Sequence, residues 1–246
     1  MTPRLPGDPK QIHELSGKLT EEQIHLALGE LYQSIPGTTC ANCGSCCRVN
    51  EVERRQGWVT MYPLYAAEYL HIASFVADTF APQRRDFLLS FQEEWPLQCP
   101  FRDPEQDACT IYPVRPLTCR TYGIMDKERI EETVAAHQSH LQREQLERFK
   151  RSEMHHLCPN VKVAEPAKFG TYAAHRIACG YTRKLEILSV EAGLMGRARR
   201  QVFETITGIT GILSWTWGGF NALRGSSMGT FIEEFPDYWA KADLAR

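Results

Sequence analysis

The sequence predicts a mainly α-helical protein in which an irregular cysteine-rich lobe is clasped by amphipathic helices, and three observations carry that reading. Apolar residues recur with a period near 3.6 on both sides of residues 97–122. Within residues 97–122 the periodicity dissolves into prolines, short turns such as Arg102-Asp103-Pro104, and three cysteines. Upstream, four of the nine cysteines fall within eight residues, Cys40-Ala-Asn-Cys43-Gly-Ser-Cys46-Cys47.

Taken in order, Thr20 followed by Gln23 forms a capping box, and Ile24, Leu28 and Leu31 recur behind it, so a helix is expected from about Glu21 to Ser34. Pro36-Gly37 stops it and delivers the chain to the cysteine run. Pro63 sits where a first-turn proline would, and Tyr65, Tyr69, Ile72, Val76 and Phe80 form the stripe of a second helix. Pro82 opens a third, with Phe87, Leu88, Phe91 and Trp95 on one face until Pro96. The longest helix is expected over Asp126–Arg151, where Ile130, Val134, His137, Leu141 and Phe149 fall near one line among alternating charges. After Cys158 a loop is expected to about Phe169, then one or more helices over Tyr172–Phe203.

Composition narrows the setting. The 246 residues fit one large domain or two small ones, and the division expected is a cysteine-cluster domain with flanking helices at 1–165 and a helical extension at 166–246. A net charge of -2 provides no global basic field, so nucleic acid is not an expected partner. The first ten residues lack an apolar leader core, and nine thiols without one suit a reducing cytoplasm. The stretch Val202–Phe220 has few charges but holds Glu204 and several threonines and glycines, too polar for a spanning helix. It is read as buried or partner-facing, Trp215 and Trp217 hinting at an interfacial role.

The cysteines point to metal. Two cysteines separated by two residues can turn both sulfurs inward on one tight loop, within about 2.3 Å of a single soft cation. A disulfide framework is the alternative, but an odd count without an export signal argues against it. Downstream stand Cys99-Pro100-Phe101 and Cys109-Thr-Ile-Tyr-Pro-Val-Arg115-Pro116-Leu-Thr-Cys119-Arg120. Together with the first run, in this order, these segments resemble the CxxCxxCC cysteine-cluster family, the YkgJ-type domains described as zinc- or iron-chelating. The likeness spans roughly Thr38 to Tyr122, with Cys158 beyond it.

What the resemblance implies is metal binding, without a settled reaction. Its ligand cysteines fall on Cys40, Cys43, Cys46, Cys47, Cys99, Cys109 and Cys119. For an eighth, Cys158 is preferred over Cys179, being nearer and followed by Pro159 as Cys99 is by Pro100. Eight thiolates exceed one zinc, which closes its shell at four. They suit two four-cysteine zinc sites, a cubane 4Fe–4S cluster with spare thiols, or two clusters. The adjacent side chains of Cys46 and Cys47 are expected to diverge and serve different metals, or opposite sides of one cluster.

A site so anionic needs cations and donors around it, and Arg48, Arg115 and Arg120 each lie within a few residues of a ligand. Tyr112 and Tyr122 are expected to pack over the site. His155 and His156, just before Cys158, offer an imidazole in place of one thiolate, whereas His137 and His140 read as half-buried helix residues. Three functions compete, the third being an enzyme whose chemistry occurs at an open metal position. One is an iron-sulfur protein in redox or cofactor handling, as related clusters attached to flagellin lysine methylases imply. Another is a structural two-zinc module whose helices bind a protein partner. No P-loop, G-x-G-x-x-G or G-x-S-x-G motif marks an enzyme.

Overall fold

The computed structural model describes residues 19–40, 45–48, 64–90, 98–106, 108–139, 141–151, 157–191, 214–215, 217–218 and 220–221. Within them the chain is mostly helical, with short strands in two-stranded pairs. It divides into two compact units, the first comprising Met1–Leu28, Gly44–Arg115 and Leu185–Arg246, the second Gly29–Cys43 and Pro116–Lys184.

Helix α1 (Glu21–Gln33) opens on the expected box: the Thr20 N–H donates to Gln23 Oε1 at 2.8 Å, and the Gln23 N–H donates to Thr20 Oγ1 at 3.3 Å. Strand β1 (Thr38–Cys40) follows the Pro36-Gly37 stop. After the cysteine run come β2 (Leu64–Tyr65), α2 (Ala66–Thr79) and α3 (Pro82–Leu89).

The core of the first unit forms around α2. Tyr69, Ile72, Ala73 and Val76 are buried, as the stripe requires, and Glu68 caps the helix by accepting from the Tyr65 N–H at 2.9 Å. Ile24 and Leu28 of α1 are buried in the same unit. The Tyr69 ring stacks on Phe220 at 4.9 Å and lies 4.8 Å from Trp217. Buried Asn221 ties this cluster to α3: it accepts from the Tyr69 hydroxyl at 2.7 Å and donates to the carbonyls of Leu88 and Ser90 at 2.9 and 3.0 Å. Trp217 is thus a core residue, and β6 (Ser214–Trp215) pairs antiparallel with β2. No helix among the described residues is long and apolar enough to cross a membrane. In α3 the expected face is shifted, since Phe87 is 47 % exposed while Leu88 and Leu89 are buried. Phe91, Trp95 and the predicted helix beyond Glu191 lie outside the described residues.

Within the first unit, β3 (Arg102–Asp103) and β4 (Ala108–Cys109) form a hairpin. The second unit contains α4 (Leu117–Thr121), α5 (Lys127–His137), α6 (Arg143–Lys150), β5 (Val161–Val163), α7 (Phe169–Ile177) and the start of α8 (Gly180–Glu191). The single long helix expected over 126–151 is two. Asp126 caps α5 by accepting from the Arg129 N–H at 2.8 Å, and the chain turns after His137. Gln142 then starts α6, its N–H donating to Gln145 Oε1 at 3.2 Å. Ser139 is a weaker helix former, and the Gln142–Gln145 capping pair favours starting a new helix over continuing the old one. The loop expected after Cys158 includes β5, which pairs antiparallel with β1 in the register Thr38↔Val163, Cys40↔Val161.

Candidate metal centre

The first unit brings four of the candidate ligands onto two adjoining segments. Ser45–Cys47 form a 3-10 turn, and the Cys47 carbonyl accepts from the Cys99 N–H at 2.8 Å while Arg48 bridges Gln98. From Cys99 the chain enters the β3–β4 hairpin, where the Arg102 N–H donates to the Cys99 carbonyl at 3.0 Å and Arg102 stands opposite Cys109. The Thr110 N–H and hydroxyl both donate to the Phe101 carbonyl, at 2.8 and 2.7 Å, and hold that hairpin closed.

The sulfurs of Cys46 and Cys47 lie 3.9 Å apart. The expected divergence of these neighbours does not occur. Four sulfurs at about 2.3 Å from one tetrahedral ion are separated by about 3.8 Å, so this pair already has the spacing of one edge of such a site.

The thiols and arginines of these segments act on one another electrostatically. The hydrogen bond from the Cys47 thiol holds Cys46 down to about 6, and the guanidinium groups of Arg115 and Arg102 add to the effect. Burial pushes Cys99 up to about 12, and the neighbouring thiols of Cys109 and Cys46 push the same way. Cys109 is also raised, first by burial and then by Cys46, while Arg115 opposes the shift. Arg115 itself lies over the Tyr112 ring at 3.5 Å and donates through Nε to the Tyr112 carbonyl at 3.3 Å.

The other candidates belong to the second unit. Cys40 ends β1 opposite Val161, and Cys119 lies on α4. Gly123 follows α4 with a φ of +74°, and a Cβ placed on it would lie 2.7 Å from Val161 Cβ and 3.0 Å from Cys158 Cβ. Only glycine lets α4, Cys158 and β5 approach this closely. Arg120 stacks on Tyr32 at 4.5 Å. Cys179 stands apart in its bonding: Arg148 Nη2 donates to its sulfur at 2.8 Å, and its φ is +55°. His137 Nδ1 is hydrogen-bonded to the Thr133 carbonyl at 2.9 Å within its own helix. Cys43, His140, His155 and His156 lie outside the described residues.

Among the described residues no disulfide joins two cysteines, and no three Cys, His, Asp or Glu side chains are gathered as a ready ligand set. The donor chemistry nonetheless fits a soft divalent ion: thiols on tight turns, one pair at ligand spacing, and cations beside them.

Sequence reasoning passes over Arg102. It is only 3 % exposed, and its Nη1 donates to Gln98 Oε1 at 3.2 Å. An arginine three residues after Cys99 carries no signal of burial by itself, because the hairpin that buries it forms only in the fold.

Residues 39–159 match the family model CxxCxxCC, described as "Putative zinc- or iron-chelating domain". No curated protein and no solved structure matches the chain.

Proposed function

We propose, on the premise that residues 39–159 belong to the CxxCxxCC family of zinc- or iron-chelating domains, that this protein holds two divalent ions in two separate four-thiolate centres, with zinc as the resident metal. Cys46, Cys47, Cys99 and Cys109 would hold the first. Cys40, Cys119 and Cys158 would hold the second, with Cys43 completing it by its C-x2-C spacing.

The observation behind this reading is where the two compact units divide the chain: among the described residues Cys40 falls in one unit and Cys46 and Cys47 in the other, so the division lies inside the C-x2-C-x2-C-C run. Of the described candidates, Cys46, Cys47, Cys99 and Cys109 fall on one side and Cys40, Cys119 and Cys158 on the other. Four thiolates close the shell of one zinc, and the 3.9 Å between the Cys46 and Cys47 sulfurs matches two ligands of one ion. A cubane takes one thiolate per iron and keeps its ligand sulfurs further apart.

In this role the metal supplies folding free energy to a segment short of regular structure. Structural zinc sites contribute on the order of 10 kcal/mol to small domains. The β3–β4 hairpin and the 3-10 turn have few apolar side chains of their own, so cross-linking them through one ion replaces a core they cannot build. Thiolates kept for metal need a reducing compartment, which makes the cytoplasm the proposed setting. The helices then present their outer faces to a protein partner.

Metal analysis of protein purified without oxygen tests the reading. Colourless protein with about two zinc ions per chain is expected. A brown solution that bleaches with dithionite and contains sulfide would replace it with an iron-sulfur cluster.

A further inference from the structure

We propose that Arg102 is the counter-charge of the first metal centre, a buried guanidinium that offsets the thiolates of Cys46, Cys47, Cys99 and Cys109 and raises the centre's affinity for its ion. The inference rests on the four-thiolate reading above and adds a residue to it.

Position makes the case. Arg102 is joined to one candidate ligand through the backbone, its N–H donating to the Cys99 carbonyl at 3.0 Å, and it stands directly across the hairpin from another, Cys109. Its side chain is 3 % exposed and donates to Gln98, whose backbone is bridged to Arg48 beside Cys47. Its positive charge reaches Cys46. Arg102 is therefore joined to the Cys99 segment, stands opposite Cys109, and is linked to the Cys46–Cys47 turn through Gln98 and Arg48.

Charge gives the position its purpose. A divalent ion with four thiolates has about two net negative charges, which a protein interior tolerates only beside cations and donors. Arg115 provides one of those cations from the turn after Cys109. Arg102 provides the other, and it differs from Arg115 in being buried. Arginine suits such a place because it keeps its proton under desolvation, where a lysine shifts its pKa readily, and because it has five donors in a fixed fork.

The test compares Arg102→Gln, Arg102→Lys and the unaltered chain, each loaded with two equivalents of zinc and titrated with a competing chelator. The second centre serves as an internal control for folding. We expect Arg102→Gln to weaken one of the two ions by about 10- to 100-fold, the usual cost of removing a partner behind a metal ligand, and to leave the other unchanged. Arg102→Lys, which keeps the charge, should restore most of that loss. The inference is overturned if Arg102→Gln holds both ions as tightly as the unaltered chain, if it weakens both equally, or if the lysine variant is as weak as the glutamine one. An unaltered chain that takes up no zinc would instead overturn the two-centre reading, and this inference with it.

Discussion

The sulfurs of Cys46 and Cys47, neighbours on one 3-10 turn, lie 3.9 Å apart, where adjacent residues of an extended chain would point to opposite faces. Successive side chains on a 3-10 turn are about 120° apart, at three residues per turn. Two neighbours can therefore bind one ion. If they do, Cys46→Ser, Cys47→Ser and the double variant should each lose the same single ion, leaving about one per chain by elemental analysis. A double variant that loses both ions would mean that the neighbours serve different metals.

Burial keeps the proton on Cys99, whose thiol is pushed up to about 12. A metal must displace that proton, so uptake releases protons and affinity rises with pH. Competition titrations between about pH 6 and pH 8 should show zinc affinity climbing about tenfold per pH unit for each proton displaced. Calorimetry in buffers of different ionisation enthalpy would count those protons. An affinity flat across that range would mean that no thiol loses a proton when the metal binds, against a Cys99 held protonated.

Gly123 follows α4 with a φ of +74° and no room for a methyl group beside Val161 and Cys158. Gly123→Ala should destabilise the protein by about 2 kcal/mol or more in denaturant titrations, from left-handed strain and the clash together. It should also weaken one ion while sparing the other, because the Cβ displaces Cys158. Wild-type stability with unchanged binding would remove Gly123 from the account.

Alkaline pH should loosen the second unit through Tyr172. Its phenol is buried and pushed up to about 12 from 10.0, chiefly by burial. A folded pKa raised above the unfolded one gives stability that is present in full below about pH 10 and lost as the pH rises toward about 12. The loss amounts to at most about 3 kcal/mol at about 1.4 kcal/mol per pH unit. Tyr172→Phe should flatten the stability curve over that window in chemical denaturation. A variant as pH-sensitive as the parent would assign the effect elsewhere.

The local features were legible in sequence. The Thr20 box, the Tyr69–Val76 stripe and the Pro82 helix start depend on neighbours within a few residues, and each appears in the fold. What depends on distant partners was not. Strand β5 is three residues long and pairs with β1 more than a hundred residues earlier, so Val161-Lys-Val163 read as loop. The break between α5 and α6 was masked because Ile130, Val134, Leu141 and Phe149 keep helical spacing across it. Among the cysteines, spacing identifies C-x2-C pairs but is silent on the division that puts Cys40 in one unit and Cys46 and Cys47 in the other. Arg102 escaped for the same reason, its burial being a property of the hairpin.

Two separate centres, divided within one cysteine run, are most directly tested by counting metal in Cys109→Ser and Cys119→Ser. About one ion is expected to remain in each variant, because each serine opens one four-thiolate shell and spares the other. A variant that keeps both ions, or either serine stripping the chain of all its metal, would contradict it.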